Sequence, residues 1–153
     1  MFKRILVPLD GSSTSERGLE QAIKLASERR ATLYLLHVVD EQVLTQSIDA
    51  DAATVDSLLG SLRNSGRKIL DDARARARKR RLRSTPVLVE NMLRSVADVI
   101  VEQARKRRAD LIVMGTHGRR GIKRVVMGSA AEGVVRATPV PVLLVRSPAG
   151  RRR

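Results

Sequence analysis

A doubly wound α/β fold, with one five-stranded parallel sheet covered by helices on both faces, is what this sequence predicts, and three observations predict it. Five short apolar runs are continuous rather than alternating, as strands buried on both faces require. Between them lie stretches whose apolar residues recur at three and four positions, the spacing of one helix face. Three of the helical stretches open on a hydroxyl followed three residues later by an acid, a pairing that suits capping of first-turn amides.

Taken in order, Ile5 to Leu9 forms the first strand. The helix after it opens on Ser13 with Glu16 and carries Leu19, Ala22, Ile23 and Ala26. Leu33 to Val39 is the second strand, and the polar, acidic stretch Asp40 to Ala53 follows it. That stretch is read as an ordinary long connection, which is commoner than the alternative, a flap over a site. The second helix is striped by Val55, Leu58, Leu62, Ile69, Ala73 and Ala77, and Val87 to Val89 is the third strand. Ser95 with Asp98 opens the third helix, striped by Val96, Ile100 and Ala104, before the fourth strand from Leu111 to Met114. Ser129 with Glu132 opens the last helix, and Val140 to Val145 closes the sheet. A β-α-β order throughout, joined by right-handed crossovers, puts helices on both faces. Residues 1–148 are read as one domain and 149–153 as a basic tail.

Composition narrows the function. A chain of 153 residues suits a single core. No apolar run approaches the roughly 18 residues of a membrane helix, and the start Met1-Phe2-Lys3-Arg4 lacks a secretory signal's features, so a cytoplasmic protein is expected. With no cysteine and two histidines, thiolate, disulfide and transition-metal chemistry are poor fits. The net charge of +14 attracts polyanions, nucleotides and nucleic acids alike. Phe2 and Tyr34 are the only aromatics, too few to stack the bases of a single strand.

In an open α/β sheet the ligand lies beyond the carboxyl ends of the strands, so the loops after strands hold the candidates. Pro8-Leu9-Asp10-Gly11-Ser12-Ser13 follows the first strand; Gly115-Thr116-His117-Gly118-Arg119-Arg120-Gly121 follows the fourth, and Gly128-Ser129 opens the last helix. Gly115 and Gly118 allow main-chain amides to approach an anion, and Gly128-Ser129 adds a helix N-terminus with its dipole. Neither a P-loop nor a Gly-x-Gly-x-x-Gly fingerprint is present. The same glycines also suit a tight strand-to-helix turn, and that alternative stays open. Asp10 likewise has two readings, a ligand contact or a cap on its own turn. His37, inside an apolar strand, reads as a core residue rather than a ligand, whereas His117 lies where an imidazole could donate to phosphate. No Ser/His/acid arrangement appears, so no catalytic residue is assigned. The basic runs Arg29-Arg30, Arg78 to Arg81 and Arg105 to Arg108 fall at helix ends, where cations complement the dipole. They also leave a second basic edge that one nucleotide does not account for.

Gly115-x-x-Gly118, nine residues, then Gly128-Ser129 resembles the Gly-x-x-Gly-x9-Gly-Ser/Thr motif of ATP-binding universal stress proteins. The opening Ile5-Leu6-Val7-Pro8-Leu9-Asp10-Gly11-Ser12, the strand end Leu36-His37-Val38-Val39-Asp40, the segment Ala109 to Gly115 and the closing Pro139 to Val145 are similar to the same family. The resemblance implies a 3-2-1-4-5 strand order and a crevice between the first and fourth strands. It implies that Pro8, Leu9 and Asp10 lie against the adenosine and that Val38 meets the adenine edge. Met114, Gly115, Gly118, Gly128 and Ser129 would line the ribose and phosphates, with His117 and Arg119 on the rim. It further implies ATP as ligand, Mg2+ or Mn2+ held mainly by phosphates, and a homodimer through Val140 to Val145. Where the family commonly has a Gly-x-Pro turn, this chain has Asn91-Met92-Leu93-Arg94-Ser95, a departure at the adenosine end.

Other readings fit less well. A flavodoxin-like carrier suits the hydroxyls after the first strand but lacks aromatic partners for a flavin. A phosphorelay receiver needs an acidic pair after that strand and an aspartate after the third, where Glu90-Asn91 stands. A nucleotide-free dimeric interaction module of the same fold is an alternative against which the intact glycine spacing argues. A basic polyanion-binding protein, with nucleic acid among its ligands, is the other alternative, and it rests on charge.

Overall fold

The computed structural model describes residues 2–41, 51–91, 93–117 and 127–146. Nine elements alternate along it: β1 (Arg4–Pro8), α1 (Ser13–Arg29), β2 (Thr32–Asp40), α2 (Ala52–Lys79), β3 (Ser84–Asn91), α3 (Val96–Lys106), β4 (Leu111–Gly115), α4 (Ser129–Ala137) and β5 (Val142–Val145). The strands are all parallel in the order β3-β2-β1-β4-β5, as the doubly wound reading requires.

Two apolar layers hold the sheet. On one face Leu19, Ala22, Ile23 and Ala26 of α1 and Leu70, Ala73 and Ala77 of α2 pack on Ile5, Val7, Leu33, Leu35 and Val113. On the other, Ala97, Ile100 and Ala104 of α3 and Ala131 and Val134 of α4 pack on Leu6, Leu36, Ile112 and Met114. Each fully buried Leu, Ile or Val contributes about 1.5–3 kcal/mol relative to exposure.

The strands differ from their sequence reading at the edges. β1 and β4 are buried as continuous apolar runs should be, but β3 and β5 are half-exposed. β3 is also longer than Val87 to Val89, because its backbone pairs with β2 over eight positions whatever its side chains do. Pro86 fits inside it since an edge strand leaves one row of groups unpaired. β5 begins at Val142, not Val140. In α2 the buried residues start at Gly66, and Leu58 is exposed, so the first half of the helix reaches past the sheet. The expected connection from Asp40 to Ala53 lies largely outside the described residues, since β2 runs on to Asp40 and α2 starts at Ala52.

Helix starts are corrected in two places. Ser12 rather than Ser13 caps α1, accepting from the Ser15 amide, because Gly11 at φ 79 turns the chain and Asp10 Oδ1 accepts from the Ser12 amide at 2.8 Å. Gly128 rather than Ser129 is the N-cap of α4, which leaves that helix without a side-chain cap. At α3 the reading holds: Ser95 Oγ accepts from the Asp98 amide and its hydroxyl donates to the Asp98 carboxylate at 2.7 Å.

Helix ends carry the basic runs, as expected, with an added feature. α1, α2 and α3 each close with a six-to-one hydrogen bond, Ala31 to Ala26, Leu82 to Ala77 and Ala109 to Ala104. The left-handed residue in each closure is an arginine: Arg30 at φ 52, Arg81 at φ 55 and Arg108 at φ 50. Glycine is the favoured occupant of such a position, and an L side chain there costs about 1 kcal/mol.

Ion pairs tie α2 across the molecule. Arg76 reaches Glu16 and Glu20 of α1, and Arg63 pairs with Glu90 of β3 at 2.5 Å. The hydrogen bond from Arg63 holds the Glu90 carboxyl below its ordinary range. The stability this pair supplies is therefore present above the ordinary carboxylate range and is lost as pH falls through the lowered value.

Candidate functional site

The connections from β1 and β4 leave in opposite directions, so the carboxyl ends of these neighbouring strands form the crevice of a doubly wound sheet. Three segments meet there: the turn from β1 into α1, the loop after β4, and the first turn of α4. Thr14 of α1 donates its hydroxyl to the His117 carbonyl, joining the first to the second. The Gly128 amide donates to the Thr116 carbonyl at 2.7 Å, joining the second to the third.

Leu9 is buried, its amide donates to Leu36 at 2.8 Å and its carbonyl meets His37 Nδ1 at 2.7 Å. Both halves of the Leu9 main chain thus hold β1 to β2, and His37 is the satisfied core residue its apolar setting implied. Pro8 is half-buried in register with Leu36, and Val38 is half-buried near the end of β2 in register with Val89. Asp10 makes the turn contact to Ser12 described above, which is one of its two readings.

After β4, Met114 is buried and Gly115 is half-buried. A Cβ on Gly115 would lie 2.7 Å from Thr14 Oγ1 and 2.8 Å from the Thr14 carbonyl carbon. What the missing side chain makes room for in this structure is the start of α1. His117 has Nδ1 at 2.8 Å from Thr116 Oγ1, while its Nε2 is buried with no hydrogen-bond partner among the described residues. Gly128 is half-buried and Ser129 exposed at the open start of α4. Gly118 and Arg119 lie outside the described residues.

Sequence reading passed over Thr14 and Thr116, both buried. Thr14 stands in a run of hydroxyls that offered a signal, Ser12-Ser13-Thr14-Ser15, but the run does not say which member turns inward. The departure at Asn91 also has a structural account. Asn91 is buried, donates from Nδ2 to the Arg94 carbonyl and accepts from the Arg94 amide at 3.1 Å. A side-chain clasp closes this turn in place of glycine and proline.

The helix starts differ in their capping. α1, α2 and α3 have side-chain caps from Ser12, Asp51 and Ser95, whereas the N-cap of α4, Gly128, gives none. Such an open N-terminus places partial positive charge at its mouth. No group of three His, Cys, Asp or Glu suited to a metal ion occurs among the described residues. None of the described helices is long and apolar enough to cross a membrane.

Known proteins share this fold. The model of the universal stress protein family matches residues 1–146. A universal stress protein of Methanocaldococcus jannaschii is 34% identical over 149 residues, covering 97% of this chain and 84% of its own length. The crystal structure of a family member from Burkholderia pseudomallei aligns with a TM-score of 0.78 at 36% identity, over 95% of this chain and 97% of the other. A universal stress protein from Archaeoglobus fulgidus, solved in complex with dAMP, aligns with a TM-score of 0.67 at 20% identity, over 95% and 98%, a likeness of fold. A family match running from ahead of β1 to just past β5, with a 34% identical relative along nearly the whole length, means that this chain belongs to the universal stress protein family.

Proposed function

We propose that this chain binds ATP beyond the ends of β1 and β4 and works in the cytoplasm as a nucleotide-dependent stress or signalling module, with slow hydrolysis at most. The observation that carries the reading is the start of α4, the one described helix with a glycine N-cap and no side-chain cap. With no side-chain cap from Gly128, the first turn of α4 would offer main-chain amides where the dipole favours phosphate. The buried Nε2 of His117, without a partner among the described residues and next along from the Thr116 that holds Gly128, is a second group an anionic oxygen would satisfy. Pro8, Leu9, Asp10 and Val38 would border the adenosine, and Met114, Gly115, Gly118 and Arg119 the ribose and phosphates. The dAMP complex of the Archaeoglobus fulgidus neighbour supports an adenine ligand through the shared fold. Mg2+ or Mn2+, where it accompanies the phosphates, would be held mainly by them.

Gly128→Asp tests the reading. Gly128 has φ −64 and ψ 151, which aspartate adopts freely, and its carboxylate would cap α4 from within. A fixed negative charge at about 4 Å from a phosphate costs roughly 4 kcal/mol at an effective dielectric constant near 20. Calorimetry is expected to show ATP affinity falling by at least about a hundredfold, while thermal melting shows a fold no less stable than wild type. Unchanged ATP affinity in the folded variant would remove α4 from the site.

The same reading includes a homodimer through the β5 edge. Leu143 at its centre is 39% exposed, and an apolar edge with Pro141 as its guard invites pairing. Sedimentation at micromolar concentration with ATP is expected to give a dimer for the wild type and a monomer for Leu143→Arg. A monomeric wild type would rule the pairing out.

A further inference from the structure

We propose that the edge of the sheet opposite the nucleotide crevice binds the phosphate backbone of a nucleic-acid duplex without reading its sequence. In a parallel sheet the helix C-termini gather at the amino ends of the strands. Arg80 and Arg81 accordingly stand at the start of β3, Arg29 and Arg30 at the start of β2, and Arg105 and Arg108 at the start of β4. All six are exposed, and none is paired with a carboxylate among the described residues. Of the acids nearest in the chain, Glu28 is exposed beside Arg29, while Asp110 and Glu102 are already engaged. Asp110 accepts from the main-chain amides of Lys3 and Arg4 at 2.9–3.1 Å, and Glu102 is held by Arg94 and Lys106.

Helix dipoles account for only part of this charge, because one cation per terminus serves a dipole and each of these ends has several. The backbone adds a second argument. Arg30, Arg81 and Arg108 all occupy left-handed positions where glycine would be more stable, so cationic side chains stand there against the local conformational preference. The six-to-one hydrogen bonds fix their backbones, which makes a preorganised array rather than a flexible basic tail.

Spacing favours a duplex. From β3 to β4 there are three steps of about 4.8 Å, a span of about 14 Å, close to the roughly 12 Å width of the major groove of B-form DNA. Phosphates on both sides of one groove would then be within reach. Single strands fit poorly, since Phe2 alone is an exposed aromatic near this edge and the Tyr34 ring lies under Arg107 at 6.0 Å. This inference does not depend on ATP binding, which concerns the other edge.

Three positive charges are removed in each of three variants of the full chain, with a DNA duplex of about 20 base pairs as probe. The first, Arg30→Gly with Arg81→Gly and Arg108→Gly, relieves the left-handed strain and is expected to melt no lower than wild type. The second, Arg29→Ser with Arg80→Ser and Arg105→Ser, leaves those backbone positions alone. The control, Lys24→Ser with Arg67→Ser and Arg74→Ser, takes the same charge from exposed helix faces elsewhere. Both edge variants are expected to bind the duplex more than about tenfold more weakly at low salt. Their salt slopes should flatten by up to about 2.7, at about 0.9 for each phosphate no longer neutralised, while the control stays near wild type. The proposal is overturned if the wild type does not bind the duplex, or if edge variants and control weaken equally, which would mean net charge alone. It is equally overturned if inorganic polyphosphate binds this edge and the duplex does not displace it.

Discussion

Gly115→Val is expected to destabilise the fold by about 3 kcal/mol or more, lowering the melting temperature by about 6–12 °C for a chain of this size. Even the first side-chain carbon would meet Thr14 Oγ1 at 2.7 Å and the Thr14 carbonyl carbon at 2.8 Å. Real Cβ atoms do not approach backbone that closely, so α1 or β4 must move. α1 has little freedom to do so. Its Thr14 hydroxyl is bonded to the His117 carbonyl, and a Cβ on Gly18 would already touch the Met114–Gly115 peptide at 3.5 Å. Urea unfolding of Gly115→Ala and Gly115→Val measures the cost, which should rise with side-chain size. A variant as stable as wild type would show that the contact relaxes freely. The practical outcome concerns the proposed nucleotide site. Absence of ATP binding in a Gly115 variant would report the disturbed α1–β4 junction as much as any phosphate contact, whereas Gly128→Asp separates the two.

Gly66→Val should be nearly as costly, for a related reason on the other side of β1. A Cβ there would lie 2.5 Å from His37 Cδ2, 3.0 Å from His37 Nε2 and 2.9 Å from Leu88 Cδ1. Leu88 can swing aside, but the imidazole is held by its 2.7 Å contact with the Leu9 carbonyl. The helix must therefore lift from β2, and a loss of about 2–4 kcal/mol is expected in urea unfolding. His37→Ala opens that space, so the double variant should cost clearly less than the sum of the two single changes. Gly60, in the same helix, has nothing within 4 Å of its Cβ position, and Gly60→Ala should instead stabilise by about 1 kcal/mol. Equal effects at Gly60 and Gly66 would mean that helix propensity, not packing against His37, governs both.

These glycines also mark where sequence reasoning stops. The strands β1, β2 and β4 were legible because burial on both faces leaves unbroken apolar runs such as Ile5-Leu6-Val7. β3 was legible only at its centre, since an edge strand tolerates Ser84, Thr85 and Pro86, which look like a loop. His37 announced its core role by its apolar neighbours. Gly115 did not announce the approach of Thr14, because the two lie 101 positions apart and no local pattern encodes that contact. The helix start at Ser12 was blurred by a run of adjacent hydroxyls, any of which can cap. Least legible were the left-handed arginines, for the usual rule puts glycine at such positions and arginine there looks like an ordinary dipole partner.

Under the proposed function, Thr116 would link two equilibria. It donates its amide to the Val145 carbonyl at the end of β5 and accepts the Gly128 amide through its own carbonyl. Its two flanking peptide groups are rigid planes that share a single Cα. The proposed pairing of β5 edges and the proposed occupation of the mouth of α4 would therefore act on one pair of torsion angles. Thermodynamic reciprocity then sets the terms: whatever factor by which a bound nucleotide strengthens or weakens subunit pairing, pairing changes nucleotide affinity by the same factor.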